Sequence, residues 1–391
     1  MNPVTEKNLG ECFIVVRSIP SADSILKLKD DALGFWDEIS KKHKKANILI
    51  CGKTGVGKST LINAVFRDKL AETGIGRPVT QKLSVVSVDG VPLNILDTKG
   101  LELEDYQVIR DGIINEVRRR RGHDGDDYVH VAWLCIAEPG KRIEDAEFQL
   151  AWDLHELGVK VIVVLTKSHS FIMANEFVAI VKAKFEGLAH AVVQTRAIKT
   201  PRYDDDENVV GAYNIRGIDE LIHVSYEVIP EAQQQAFANA LNIETKEGLQ
   251  KKKEEAAKII TVSSAAAAAI GATPIPFSDA ILLFPVQATM IVKISTIFGM
   301  SVTKSSVLPV LTTLIGSSTA TLVGKTVVTG IMKMVPGLGS FIGGALSATV
   351  ANRLTSAMGS TYVDVLVSLT EEGRPLELGE ALNALKNKIG L

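Results

Sequence analysis

Gly52-Lys53-Thr54-Gly55-Val56-Gly57-Lys58-Ser59-Thr60 lies between two apolar runs, Ala46 to Cys51 before it and Leu61 to Phe66 after it. The first run reads as a buried strand and the second as the start of a helix, so the glycines sit at a strand-to-helix turn. That context makes the stretch a phosphate-binding loop. Glycines let the backbone approach phosphate oxygens with no Cβ in the way. Successive N–H groups and the positive end of the helix hold the anion. Lys58 adds a cation for the β- and γ-phosphates, and the Ser59 hydroxyl suits magnesium.

The surrounding pattern extends that turn into a domain. Strands are expected at 46–51, 83–88, 92–97, 129–136, 160–166 and 190–195. Helices are expected at 59–67, 105–121, 143–157, 174–187 and 218–229. Apolar strands alternating with amphipathic helices give a mostly parallel sheet covered on both faces. Asp89-Gly90 between two strand-like runs marks a hairpin, hence one antiparallel edge strand. Residues 200–217, with Tyr203-Asp204-Asp205-Asp206-Glu207-Asn208, read as an exposed loop. Arg118 to Arg121 reads as the solvated end of a helix.

At 391 residues the chain exceeds one typical domain. The expected division is a helical N-terminal extension over 1–45, a nucleotide-binding domain over 46–230 and a helical domain over 231–391. A net charge of −2 gives no reason to expect nucleic acid as a partner. Three cysteines without ligand spacing read as reduced core thiols of a cytoplasmic protein. No charged n-region followed by an apolar h-region is evident at the N-terminus.

Composition shifts near residue 256. From Ala256 to Thr370 the charged residues are Lys258, Asp279, Lys293, Lys304, Lys325, Lys333, Arg353 and Asp364, mostly basic. Uncharged runs fill the gaps at 259–278, 280–292, 305–324 and 334–352. Residues 231–257, rich in Ala, Gln, Lys and Glu, read as a long helix leading into this half. Run 280–292 is too short for a bilayer core of about 30 Å. Run 305–324 is long enough but rich in Ser and Thr. Gly339-x-x-x-Gly343 permits close helix approach in a membrane or in a soluble bundle. Two readings follow for residues 256–370: contact with a membrane, where the basic excess suits an anionic leaflet, or a soluble helical bundle.

The next motifs narrow the nucleotide chemistry. Asp97-Thr98-Lys99-Gly100 ends a strand; Asp97 can hold magnesium through water, and the Gly100 N–H can sense a γ-phosphate. Gly74-Ile75-Gly76-Arg77-Pro78-Val79-Thr80 reads as a loop whose Thr80 could close over magnesium, with Thr73 as the alternative. Val161 to Leu165 is a buried strand ending in Thr166-Lys167-Ser168-His169. The last strand runs into Thr195-Arg196-Ala197.

In this order the motifs resemble those of the translation-factor-like GTPases, in the branch holding Era, TrmE and the septins, and those of the immunity-related GTPases. The resemblance spans about residues 45–230. It implies a Ras-like α/β fold that binds GTP or GDP with Mg2+ and hydrolyses GTP. Gly52 to Thr60 would cradle the phosphates, with Lys58, Thr80 and Gly100 serving catalysis and Ser59, Thr80 and Asp97 serving the metal. Thr166-Lys167 would recognise guanine, and Thr195-Arg196-Ala197 would meet the base through its backbone.

Three departures bear on that reading. His169 stands where the aspartate that reads guanine is usual, and a neutral imidazole cannot accept two N–H bonds as a carboxylate does. Leu101 stands where some relatives carry a water-positioning glutamine. Thr54 crowds the route of an arginine finger, which favours activation in a nucleotide-dependent homodimer. Apart from these three, Gly55 stands where potassium-dependent members carry an asparagine, so no such dependence is expected. The hydrophobic half, on Ala265 to Ala269, Pro274-Ile275-Pro276 and Pro336-Gly337-Leu338-Gly339-Ser340, resembles the C-terminal domain of Era-like bacterial GTPases and YcjF-type membrane proteins. The resemblance implies peripheral or integral residence at the inner face of a membrane. The expected function is a slowly hydrolysing GTP switch that controls an all-α hydrophobic module engaging membrane or a protein partner. A non-hydrolysing scaffold and a nucleotide-gated membrane-active effector are the competing readings.

Overall fold

A computed structural model describes residues 30–34, 45–66, 75–80, 83–87, 93–98, 106–121, 127–168, 175–272, 279–300, 302, 304–307, 309, 310 and 347–389. The first half holds strands β1 (Ala46–Gly52), β2 (Ile75–Thr80), β3 (Leu83–Ser87), β4 (Leu93–Thr98), β5 (Val131–Ala137), β6 (Lys160–Thr166) and β7 (Ala189–Gln194). They form one sheet in the order β2-β3-β4-β1-β5-β6-β7. Helices α1 (Lys58–Val65), α2 (Tyr106–Arg121), α3 (Asp145–Glu156), α4 (Asn175–Lys184) and α5 (Ile218–Val228) interleave with the strands.

Strand alternation sorts the core into two layers. Ile48, Ile50, Trp133, Cys135, Ile162 and Val164 face one cluster with α1 and α5. Leu49, Cys51, Leu134, Ile136, Val163 and Leu165 face the other with α2 and α3. Trp133 stacks on Phe66 at 5.7 Å between ring centroids, and its indole N–H donates to Ser225 Oγ at 3.0 Å. Buried on both faces, these strands need to be apolar throughout, which is why they stand out in the sequence.

The sheet is mostly parallel with one antiparallel strand, β3, as the hairpin signal implied. That strand is not the edge. Residues 75–80, expected as a loop, form β2, antiparallel to β3 with Thr80 opposite Leu83. Pro78 and the glycines suppress the strand signal, and an edge position tolerates them because one side of the strand needs no ladder bonds. The acidic segment also differs from a plain loop. Residues Thr200–Tyr203 and Val209–Tyr213 form a two-stranded ribbon, β8 and β9, beyond the main sheet. In the Arg118 to Arg121 run, Arg119 and Arg120 each contact Glu116 at 2.7 Å. Arg120 is buried, so this helix end is only partly solvated.

The helix expected over 231–257 is two helices, α6 (Glu231–Ala240) and α7 (Lys246–Gly271). Between them Leu241 turns extended, buries itself and bridges Phe66 at the end of α1. Thr245 then caps α7, its hydroxyl accepting from Gly248 N at 3.0 Å. Phe237 and its neighbours on α6 fill the nucleotide domain's core.

The hydrophobic half is helical: α7, α8 (Asp279–Ile297), α9 (Ala348–Glu371) and α10 (Leu378–Ile389). Gly359 of α9 lets the α7–α9 pair close up; a Cβ there would come within 2.6 Å of Ile260. Residues 30–34 join this core through Ala32, whose carbonyl accepts from Thr289 Oγ1 at 3.2 Å. Among the described residues, no helix is long and apolar enough to cross a membrane. Lys293, counted among the cations suited to an anionic leaflet, is instead buried in α8. Run 334–352, with Gly339 and Gly343, lies mostly outside the described residues, as does most of run 305–324.

Candidate functional site

The carboxyl ends of β1, β4, β6 and β7 converge, as open α/β sheets present their ligand crevice. At the end of β1, Gly52 holds φ 145°. A Cβ there would lie 2.4 Å from the Cys135 carbonyl oxygen, so the close passage of β5 admits only glycine. Gly55 and Gly57 also hold left-handed backbone, at φ 70° and 104°. These turns feed α1, whose first turn carries Lys58 and Ser59 and no acidic residue. An anion placed there meets the positive helix end unopposed.

Lys58 is nearly buried, and its Nζ donates to the Gly52 and Lys53 carbonyls at 3.0 and 3.1 Å. The ammonium is thereby fixed over the loop. Lys53 is held by Glu144 at 2.8 Å, and this hydrogen bond pulls the Glu144 carboxyl below its ordinary range. Thr54 and Ser59 are exposed at the mouth. Asp97 lies beside Ile50 in the β1–β4 ladder. Burial raises its carboxyl above the ordinary range while the nearby Lys58 opposes the rise. Cys51 and Cys135 under the loop are free and buried. Burial pushes the Cys135 thiol up to about 12, which leaves it unreactive.

The residues present fit magnesium. Ser59 and Asp97 offer hard oxygen donors from adjacent elements. Among the described residues no group of three or more His, Cys, Asp or Glu could hold a metal. A cation here would therefore need oxygens from its ligand, as a magnesium–phosphate pair supplies.

A second region completes the crevice. Thr166 Oγ1 donates to the Val56 carbonyl at 2.6 Å, and Lys167 Nζ donates to the Gly55 carbonyl at 2.6 Å. Lys167 is a non-glycine residue at φ 56°, a costly backbone held by its surroundings. Thr195 N donates to the Leu165 carbonyl at 2.7 Å. The Arg196 guanidinium donates to the Ser168 and Asn214 carbonyls at 2.8 and 3.0 Å. A cavity of about 220 Å³ opens between Gly57, Thr60, Thr166, Lys167, Thr195 and Ala197.

The structure thus brings Gly52 to Thr60, Asp97, Thr166, Lys167, Thr195, Arg196 and Ala197 to one end of the sheet. Thr80 ends the edge strand β2. Gly100, Leu101, Thr73 and His169 lie outside the described residues. Sequence reading missed Ile198 and Thr200, which also line the cavity, and Glu144, which anchors Lys53. None sits in a motif; the fold alone delivers them.

Residues 47–167 match the family described as 50S ribosome-binding GTPase. Residues 237–389 match a domain of unknown function, DUF697. The GTPase Era of Xanthomonas axonopodis pv. citri (strain 306) is 27% identical over 200 residues, covering 50% of this chain and 59% of that protein. The tRNA modification GTPase MnmE of Geotalea uraniireducens (strain Rf4) is 39% identical over 69 residues, covering 17% of this chain and 15% of that protein. A solved structure of Era from Aquifex aeolicus bound to GDP.AlF4- is 18% identical and covers 57% of this chain and 68% of that one, with a TM-score of 0.33. The chain spans less than two thirds of the length of the curated relatives it matches. Loop, converging motifs and matched segments agree: the first half matches a P-loop GTPase family and resembles Era, and the second half matches DUF697, the order of an Era-like GTPase domain followed by a DUF697 domain.

Proposed function

We propose that the protein binds GTP and hydrolyses it slowly, and that the nucleotide state is passed to the helical half. The observation that carries this reading is the joining of the phosphate loop to the base region. Thr166 and Lys167 hydrogen-bond directly to the Val56 and Gly55 carbonyls, so one ligand spanning both would be gripped at phosphate and base. Lys58 and the loop N–H groups would stabilise charge on the transferring phosphoryl group. Ser59, Thr80 and Asp97 would hold magnesium, which would supply Lewis-acid charge neutralisation at the phosphates when bound. Gly100 would sense the γ-phosphate. Arg196 braces the Ser168 carbonyl beside the base cavity, and Thr195-Arg196-Ala197 would contact guanine through the backbone.

Slow hydrolysis follows from Leu101, which cannot orient water. The helical half would act on a protein partner or at the cytoplasmic face of a membrane. Its described helices bury their apolar faces in each other, so a membrane-facing role would fall to the uncharged runs 305–324 and 334–352. Titration with GTP, ATP and their diphosphates, followed by multiple-turnover phosphate release, tests the reading. GTP preference and phosphate release lost in Lys58→Ala are expected. Equal affinity for ATP and GTP would remove the guanine assignment, and binding without turnover would leave a nucleotide-held scaffold.

A further inference from the structure

The β8–β9 ribbon is the part of the fold whose surface the nucleotide site does not explain. Tyr203, Val209, Val210 and Ile215 lie on or beside it, each more than half exposed. A two-stranded ribbon is marginal by itself. This one is braced at its root by the paired backbones of Arg196 and Arg216 and by Arg196, whose guanidinium lies 4.8 Å from the Tyr213 ring centroid. Its tip is shaped by Asp204, whose carboxylate accepts from the backbone N–H groups of Asp206 and Asn208 at 3.0 and 2.8 Å.

The two edges differ. β8 carries Pro201 and Arg202, the residues with which proteins blunt an edge against further pairing. β9 reads Val-Val-Gly-Ala-Tyr, with no proline and no charge. Among the described residues its outer edge pairs with no other strand. Charge is polarised along the ribbon. Asp204, Asp205, Asp206 and Glu207 occupy the tip, while Lys199 and Arg216 are exposed at the root.

We propose that the β9 edge binds the β9 edge of a second copy of this chain, antiparallel, about a two-fold axis near Gly211. Such a pairing is isologous and self-complementary. It satisfies the open ladder groups of both strands. It also lays each acidic tip along the other copy's basic root, with Asp206 beside Arg216 of the partner subunit. A parallel arrangement would stack the acidic tips on each other, so polarity selects the antiparallel one. The dimer needs no bound nucleotide, and its failure would leave the GTPase reading intact.

Sedimentation of the full chain without nucleotide, over a concentration series, tests the pairing. A reversible dimer is expected. Asp206→Lys and Arg216→Asp should each weaken it by about tenfold or more, and the two changes together should restore it. Thermal unfolding of each variant, followed beside sedimentation, separates lost pairing from lost folding. A wild-type chain that stays monomeric, a dimer indifferent to both single changes, or a double variant that does not recover would each overturn the proposal.

Discussion

At the scale of single residues, Lys58 shows how the site is built before any ligand arrives. The residue is only 9% exposed, and its ammonium bonds two carbonyls of the loop. Lys58→Met removes a charge-assisted donor, a loss of about 1.5–3 kcal/mol, or roughly ten- to a hundredfold in affinity. Titration with fluorescent GDP should read that loss. Lys58→Arg should not rescue it, because a planar guanidinium does not fit a point-charge pocket. Glu144 gives a pH test. Its carboxyl is held below the ordinary value of 4.5, chiefly by the hydrogen bond from Lys53. A depressed carboxylate contributes stability above that ordinary value and loses it as pH falls through the folded one. Lys53 is 37% exposed, so solvent screening keeps the effect below about 1 kcal/mol. The difference in melting midpoint between wild type and Glu144→Gln should shrink as pH falls through the carboxylate range. The loop and the Thr166-Lys167 and Thr195-Arg196-Ala197 segments that converge with it were legible in the sequence because each carries its own spacing. Glu144, Ile198 and Thr200 were not, because their proximity exists only after β-strand order is fixed.

At the scale of elements, legibility followed burial. Strands β1, β5 and β6 announced themselves because both faces must be apolar. β2, β8 and β9 lie at or beyond the sheet edge, where one side faces no core and the pattern relaxes. The break between α6 and α7 escaped notice because Ala, Gln, Lys and Glu favour helix throughout. Only the tertiary seat of Leu241 against Phe66 explains it. Lys293 of the hydrophobic half was misplaced for a related reason, since composition does not show which way a helix turns its lysine. Burial in α8 pulls the Lys293 ammonium down from 10.5 to about 8. A lysine depressed in the fold makes stability rise with pH between those two values, where the unfolded chain still holds the proton and the folded one has released it. Denaturant midpoints over that alkaline range should therefore climb relative to those of Lys293→Met, whose curve lacks this contribution. A parallel pair of curves would mean that Lys293 reaches solvent.

At the scale of the whole molecule, the two halves are joined by bonds a loose tether would not make. Asp219 on α5 accepts from the Glu247 backbone N–H at 3.0 Å at the start of α7. Tyr226 on α5 hydrogen-bonds Glu255 on α7, and Lys251 lies 4.6 Å from the Tyr226 ring centroid. Fully buried Lys252 donates to the Ala238, Asn239 and Ile297 carbonyls at 2.8 to 2.9 Å, tying the ends of α6 and α8 to α7. Asn239 Nδ2 adds a bond to the Thr296 carbonyl at 2.6 Å. Buried polar contacts of this kind are costly to leave half-made, so one half cannot loosen without exposing unmet groups in the other. The expected outcome is a single calorimetric transition for the full chain. GDP at a hundred times its dissociation constant should raise stability by about 2.7 kcal/mol and move that whole transition. In a Tyr226→Phe, Asn239→Ala double variant, two of the joining bonds are gone while the cavity lined by Thr166, Lys167 and Thr195 is untouched. The transition should then split, and GDP should move only the component belonging to the nucleotide domain. Two resolved transitions in the wild type, with GDP moving just one, would mean the halves are thermodynamically separate. The nucleotide state would then need another route to the helical domain.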